Sequence, residues 1–295
     1  MYEQIIAHAK SAIWCIRLDK LQDIFAVLDM RDAGIKADAV DLEVMAAAHR
    51  AKSAPRKAAG AIGVLPIIGS IVHRGNMFTE ASGTASADVL GRQFDSLVSN
   101  QDVGTIVLEI DSPGGEAVAI PELAAKINAA RGIKPIVAHV NPEAGSAAYW
   151  LASSASEIVC TPSGEVGSIG AYAYHLDYSQ QNEMIGVVPT FISYGENKTE
   201  GNSDGPLTDE ARAYVQSRVD QIGRQFEADV AKYRGTSAAT VHSDWGRGRM
   251  LDSEQAKRLG MIDRIDTLEG TLAKIADGVR VKRRAMAERN RIAFL

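Results

Sequence analysis

From residue 61 onward the chain alternates short apolar runs with stretches of helical periodicity, and the joints between them are crowded with glycine and serine. No other feature restricts the fold as much. Ile62–Ile68 and Thr105–Ile110 are continuous apolar runs of strand length, as expected of strands covered on both faces. Further strands are expected at Lys134–Val140, Glu157–Cys160 and Val187–Ser193. Helices are expected at Ser86–Ser99, from about Ala117 to Ala130, and, built of small residues, at Gly145–Ser153. Such β–α repetition favours a largely parallel, right-handed α/β architecture. Thr208 then opens a long helix as its N-cap, with Asp209 and Glu210 suited to the positive first turn. Ala211, Tyr214, Val215, Val219, Ile222, Phe226 and Val230 form its apolar stripe, and Gly235 ends it.

The first 52 residues read differently. Leu18, Leu21, Ile24, Phe25 and Leu28 fall on one helical face, and a second periodic stretch runs from Val40 to His49. Ser53–Gly60 is small, basic and interrupted by Pro55, as a linker would be. The chain thus divides into a helical N-terminal extension (1–52), a linker (53–60), a main domain (61–275) and a basic tail (276–295). The extension is either a docking element for an assembly partner or a helical pair packed on the main domain. From Val279 on, Arg280, Lys282, Arg283, Arg284, Arg289 and Arg291 face one acid, Glu288. The tail reads as a solvated end or as a contact for an acidic partner.

Composition narrows the function. The net charge of -5 argues against a general nucleic-acid binder. Two cysteines, Cys15 and Cys160, make neither a metal site nor a disulfide framework, which suits a reducing cytoplasm. No metal or cofactor is called for. The first thirty residues lack a signal-peptide core, and the longest apolar stretch, Ala61–Val72, is too short to span a bilayer. A membrane anchor is therefore not expected.

Three clusters carry candidate chemistry. Asp111-Ser-Pro-Gly-Gly-Glu116 lies between a strand and a helix, where Gly114 and Gly115 can turn backbone N–H groups toward a developing negative charge. Asn141-Pro-Glu-Ala-Gly-Ser146-Ala-Ala-Tyr-Trp150 puts Ser146 at a strand-to-helix junction, either as an N-cap or as a nucleophile projecting into a cleft. Thr161–Gly170 sets Ser168 among glycines.

A serine nucleophile needs a base. Of the six histidines, His175 is the one serious candidate, and its setting is more that of a strand than of a poised loop. Lys198 is the sole lysine between Lys134 and Lys232, and it follows an apolar run. A lysine works as a base near neutrality only when burial brings its pKa down from about 10.4, at roughly 4 kcal/mol against the charged form. On residue type alone, Lys198 remains open between base and surface-loop residue.

The three clusters and Lys198, in this order, resemble the signal peptide peptidase A (protease IV) family of serine peptidases. The resemblance runs from about Ile62 to Asp266. It is carried by Ser112-Pro-Gly-Gly115, Gly145-Ser-Ala-Ala-Tyr149, Gly167-Ser-Ile-Gly170, Lys198 and the late segment Gly248–Asp263. It implies a Clp-protease/crotonase-like fold of spiralling β-β-α units, Ser146 as nucleophile, Lys198 as base and Ser168 as the residue orienting the lysine. The N–H groups near Gly114, Gly115 and Ala147 would form the oxyanion hole. It also implies oligomers in which serine and lysine of one site come from adjacent protomers. The lack of an anchor and the helical prefix resemble the phage branch, head maturation proteases that cleave scaffold and capsid proteins inside the prohead, in the host cytoplasm. The alternatives are a soluble peptidase for signal peptides or oligopeptides, and an inactive or acyl-CoA-binding assembly protein of the same fold.

Overall fold

The structure is a computed structural model that describes residues 12–32, 47–49, 51–58, 61–75 and 84–278. The basic tail from Val279 and most of the helical stretch expected at Val40–His49 lie outside the described residues.

The fold is a mixed α/β arrangement of two sheets and flanking helices. Strands β1 (Ile13–Ile16), β2 (Arg56–Ala58), β3 (Ile62–Ile68), β4 (Ile71–Val72) and β5 (Ala85–Ser86) are followed by β6 (Thr105–Ser112), β7 (Gly114–Glu116), β8 (Ile136–Gly145) and β9 (Glu157–Cys160). Then come β10 (Glu165–Gly167), β11 (Tyr172–Ala173), β12 (Met250–Asp252) and β13 (Arg264–Ile265). The larger sheet runs β12-β10-β8-β6-β3-β2, with β9 and β13 joined to it through β8. Its centre, β3-β6-β8, is parallel. The smaller sheet runs β11-β1-β7-β4-β5.

The expected spiralling β-β-α unit is visible in the chain path. A long strand of the large sheet, β3 or β6, is followed by a short strand of the small sheet, β4 or β7. A helix then returns along the sheet. The helices are α1 (Leu18–Asp32), α2 (Ala87–Ser99), α3 (Ile120–Ala130), α4 (Ala147–Ser153), α5 (Ser179–Met184), α6 (Asp209–Arg234), α7 (Ala238–Asp244) and α8 (Ser253–Arg258). Both faces of the central strands are covered, as their unbroken apolar runs require. Leu65, Ile106, Leu108, Ile110 and Ala138 face the main core with α2, α3 and α4. Val64, Val107, Val137 and Val159 face a second cluster with Leu272, Ile275 and Ala276.

Four expectations are corrected. The N-terminal segment is not wholly helical: Ile13–Ile16 is a strand ahead of α1, because β7 and β11, more than 90 residues away, offer it two edges. Arg56–Ala58, expected as linker, pairs antiparallel with β3. Val187–Ser193, expected as a strand, has no pairing partner among the described residues and is exposed. The stripe on α6 is buried at Ala211, Phe226 and Val230, but Tyr214 is exposed and Val215, Val219 and Ile222 are half-buried. The Thr208 cap and the left-handed Gly235 terminus stand where expected.

Candidate active site

β8 positions Ser146 by exchanging neighbours along its length. Residues 137–140 pair with β9, and residues 143–145 pair with β10. Ser146 follows directly, and its amide donates to the carbonyl of Gly167 at the end of β10, 2.7 Å away. The backbone there is turned sharply, with φ 50° and ψ -117° at Ser146. A non-glycine residue held in such a conformation carries of order 1–3 kcal/mol of strain, which the surrounding packing must offset. This is not the geometry of an N-cap, and the serine hydroxyl makes no capping bond. It donates instead toward the carbonyl of Gly170 at 3.5 Å.

The packing that offsets the strain comes from α4, all seven residues of which are buried. Trp150 stacks on Phe226 of α6 with ring centroids 4.3 Å apart, and its indole N–H donates to Asp229 at 3.2 Å. The Tyr149 hydroxyl donates to the carbonyl of Met261 at 2.9 Å. The small residues Ala147, Ala148 and Ala152 let the helix lie close under the sheet.

On the other side of the serine lies β7. Gly114 has φ 106°, open to glycine alone, and a side chain there would press on the carbonyl of Gly145 at 2.9 Å and on Cβ of Ser146 at 3.0 Å. A side chain at Gly115 would collide with the Ile71 backbone. Of the three expected oxyanion-hole positions, the structure brings Gly114, Gly115 and Ala147 around Ser146. The Gly114 amide is already engaged, donating to Ser112 Oγ at 3.2 Å. Gly115 in turn is paired with Cys15 of β1.

Ser168 is brought close by the pairing of β10 with β8, which sets Gly167 beside Gly145. It has φ 53°, and its amide is tied to the carbonyl of Arg249 at 2.8 Å. The late segment Gly248–Asp263 turns out to brace this arrangement. β12 pairs with β10, Met261 receives the Tyr149 hydroxyl, and Asp263 accepts from Ile158 N–H and from Arg234. Beyond Gly170 opens a pocket of about 470 Å³, lined by Ile169, Glu227, His242, Arg247 and Gly248.

With this geometry in place, comparison with known sequences decides the family. Residues 128–282, just over half of the chain, match peptidase family S49. The chain belongs to peptidase family S49. Among its relatives, the capsid assembly protease C of Escherichia phage lambda is 33% identical over 77% of this chain and 50% of its own length. The head-tail preconnector protein GP5 of Enterobacteria phage P21 is 36% identical over 61% of this chain and 36% of its own length. A putative protease of Methanocaldococcus jannaschii is 30% identical over 61% of this chain and 58% of its own length. The chain therefore spans little more than half, or less, of each of these relatives.

In this S49 chain, Lys198 stands apart from the serine. It lies in an exposed turn, and within the chain no hydrogen bond joins its amine to Ser146. The segment leading to it carries a run of exposed apolar side chains, among them Val188 (86% exposed), Ile192 (98%) and Tyr194. Among the described histidines, none is hydrogen-bonded to the Ser146 hydroxyl. His175 bonds the carbonyl of Gly205 at 3.3 Å, and His242 bonds Glu227 at 2.7 Å. Burial and the nearby Arg264 charge push His139 down to about 4.

One neighbour of the serine was not foreseen. Cys15, on β1, is fully buried beside Ser146: a side chain at Gly114 would meet both the Cys15 carbonyl and Cβ of Ser146. Burial pushes its thiol up to about 12, against a smaller opposing effect of the Ser146 hydroxyl. Nothing in the local sequence Ile-Trp-Cys-Ile pairs it with a residue 131 positions on; only the strand register does. Among the described residues no helix is long and apolar enough to cross a membrane, and no cluster of metal-ligating side chains occurs.

Proposed function

We propose that this chain is a serine endopeptidase with Ser146 as nucleophile and Lys198 as general base, acting on scaffold or capsid proteins during phage head maturation. The observation that carries the reading is the strained, positive-φ Ser146 at a strand-to-helix junction, faced by the glycine strand β7.

The steps follow from those positions. Ser146 Oγ attacks the scissile carbonyl while its proton passes to the neutral amine of Lys198. The oxyanion is held by the N–H groups of Gly115 and Ala147. The lysine then returns the proton to the leaving amine, and an acyl-enzyme remains on Ser146. Water, deprotonated by the same lysine, releases the product. Ser168 accepts from or donates to the lysine amine and holds it in line.

Lys198 reaches a serine of the adjacent protomer. Two features support this: its exposure within one chain, and the apolar segment around Val188 and Ile192 that none of the described residues covers. Docking that segment on a neighbour would bury the lysine and supply the desolvation that a basic amine requires. The capsid substrates are suggested by the lambda and P21 relatives, and would place the reaction in the host cytoplasm, within the prohead.

Mixing two inactive variants tests the shared site. Ser146→Ala and Lys198→Ala subunits, each inactive alone, should regain hydrolysis of an unfolded protein substrate when allowed to co-assemble. Random mixing restores about a quarter of the interfaces. Wild-type activity alongside an inactive mixture would rule the shared site out.

A further inference from the structure

In the smaller sheet β7, which faces Ser146, and β11 do not pair with each other. Between them lies β1, antiparallel to both. Its register sets Ile13 and Trp14 against Ala173 and Tyr172 on one edge, and Trp14, Cys15 and Ile16 against Glu116, Gly115 and Gly114 on the other. The pairing continues past both ends. The Ala117 amide donates to the Ile13 carbonyl at 3.0 Å and the Arg17 amide to the Pro113 carbonyl at 3.1 Å. β1 is thus an extended peptide laid along the glycine strand, with the carbonyl of Cys15 against Gly114. Any peptide whose scissile carbonyl is to reach Ser146 and the Gly115 amide must take that place.

Two features mark the present occupant as a plug and not a substrate. The Ser146 hydroxyl is not directed at the strand's backbone: it donates toward the Gly170 carbonyl, while the Cys15 carbonyl lies against Gly114. The hydroxyl is also shut in, Ser146 being 1% exposed. Cys15 enters the main core, with Ile13 packed against it, but the other side chains of the segment are held apart from that core. Trp14, Ile16 and Leu21 form a small cluster of their own, flanked by Ile24, Phe25 and Tyr172. Phe25 of α1 stacks on Tyr174 with centroids 5.5 Å apart, and Arg17 pairs with Glu143 and Asp19 at the rim. Such locally held segments open at lower free energy than the global fold.

We infer that Ile13–Ile16 is a built-in blocking strand: the chain's own N-terminal segment fills the slot between β7 and β11 where an extended peptide substrate pairs, and Ser146 reacts only after this strand leaves. The inference rests on the assignment of Ser146 as nucleophile. It adds that the cleft accepts an extended backbone antiparallel to β7, and that activation is a displacement of residues 13–16.

Two variants of the full chain test it, with a fluorophosphonate probe reporting on Ser146 and iodoacetamide reporting on Cys15. Ile13→Cys with Ala173→Cys places two thiols across β1 and β11, and peptide mapping confirms their disulfide. Oxidation should slow labelling of Ser146 by about tenfold or more, since the open fraction sets the apparent rate, and reductant should restore it. Trp14→Asp loosens the strand, and should speed Ser146 labelling and Cys15 alkylation together. Protection of buried Cys160 reports that the fold is intact; should it be lost in Trp14→Asp, the disulfide pair decides alone. Equal labelling of Ser146 in the oxidised and reduced forms would overturn the blocking strand and leave the nucleophile standing. Labelling at some residue other than Ser146 would overturn the nucleophile itself, and the blocking strand with it.

Discussion

The amide of Ser146 donates to the carbonyl of Gly167 at 2.7 Å, which locks the end of β8 to the end of β10 just where both backbones turn to positive φ. Gly167 has φ 132°, and a side chain there would meet the carbonyl of Arg249 at 2.6 Å. Gly167→Ala should therefore shift the Ser146 elbow while leaving the core strands in place. A displacement near 1 Å is enough to lower turnover by about 100-fold. Steady-state kinetics should show the loss mainly in kcat, with far-UV circular dichroism unchanged.

Tyr149 anchors the nucleophile helix through a single bond to the Met261 carbonyl in a fully buried setting. Tyr149→Phe keeps the ring and leaves that acceptor unsatisfied. The expected loss is about 1–3 kcal/mol of stability, read as a lower urea midpoint with an unchanged denaturant slope.

His139 is buried on β8, and neither ring nitrogen has a partner among the described residues. Its folded value, about 4, lies below the ordinary 6.5. Between these values the unfolded chain binds a proton that the folded chain refuses. Stability should then fall as pH drops from about 6.5 toward 4, by up to about 3 kcal/mol. Urea titrations at pH 7 and 4.5 should show this loss, and His139→Leu should flatten it. An equal slope in both proteins would count against the imidazole as its source.

The apolar segment before Lys198 should matter for assembly and little for folding. Val188 and Ile192 are almost fully exposed in the single chain, so Val188→Asp with Ile192→Asp should leave the melting temperature of the isolated subunit nearly unchanged. Sedimentation should shift toward monomer, and activity should fall about tenfold or more at micromolar protein. Unchanged sedimentation would remove this segment from the interface.

Much of this architecture is legible in the chain. The apolar runs of β3 and β6, the Thr208 cap and the Gly235 terminus are set by local chemistry, and so is the glycine strand beside a serine junction. What escaped depends on partners far away in sequence or absent from the chain. Ile13–Ile16 becomes a strand because β7 and β11 offer edges, and no pattern in Ile-Trp-Cys-Ile announces them. Val187–Ser193 has the apolar run of a strand, yet no edge among the described residues receives it. The stripe of α6 is half-covered: its periodicity is helical, but Tyr214 is exposed among the described residues. The positive φ of Ser146 is likewise invisible in its residue type and shows only once β8 and β10 are side by side.

The central claim is that Ser146 attacks with Lys198 as its base. The most direct measurement is covalent labelling by a fluorophosphonate, followed by mass mapping, in the wild type, Ser146→Ala and Lys198→Ala. One adduct is expected, on Ser146 in the wild type, absent from Ser146→Ala and slowed by about 100-fold or more in Lys198→Ala. An adduct that persists in Ser146→Ala, or labelling at the full rate in Lys198→Ala, would contradict the account.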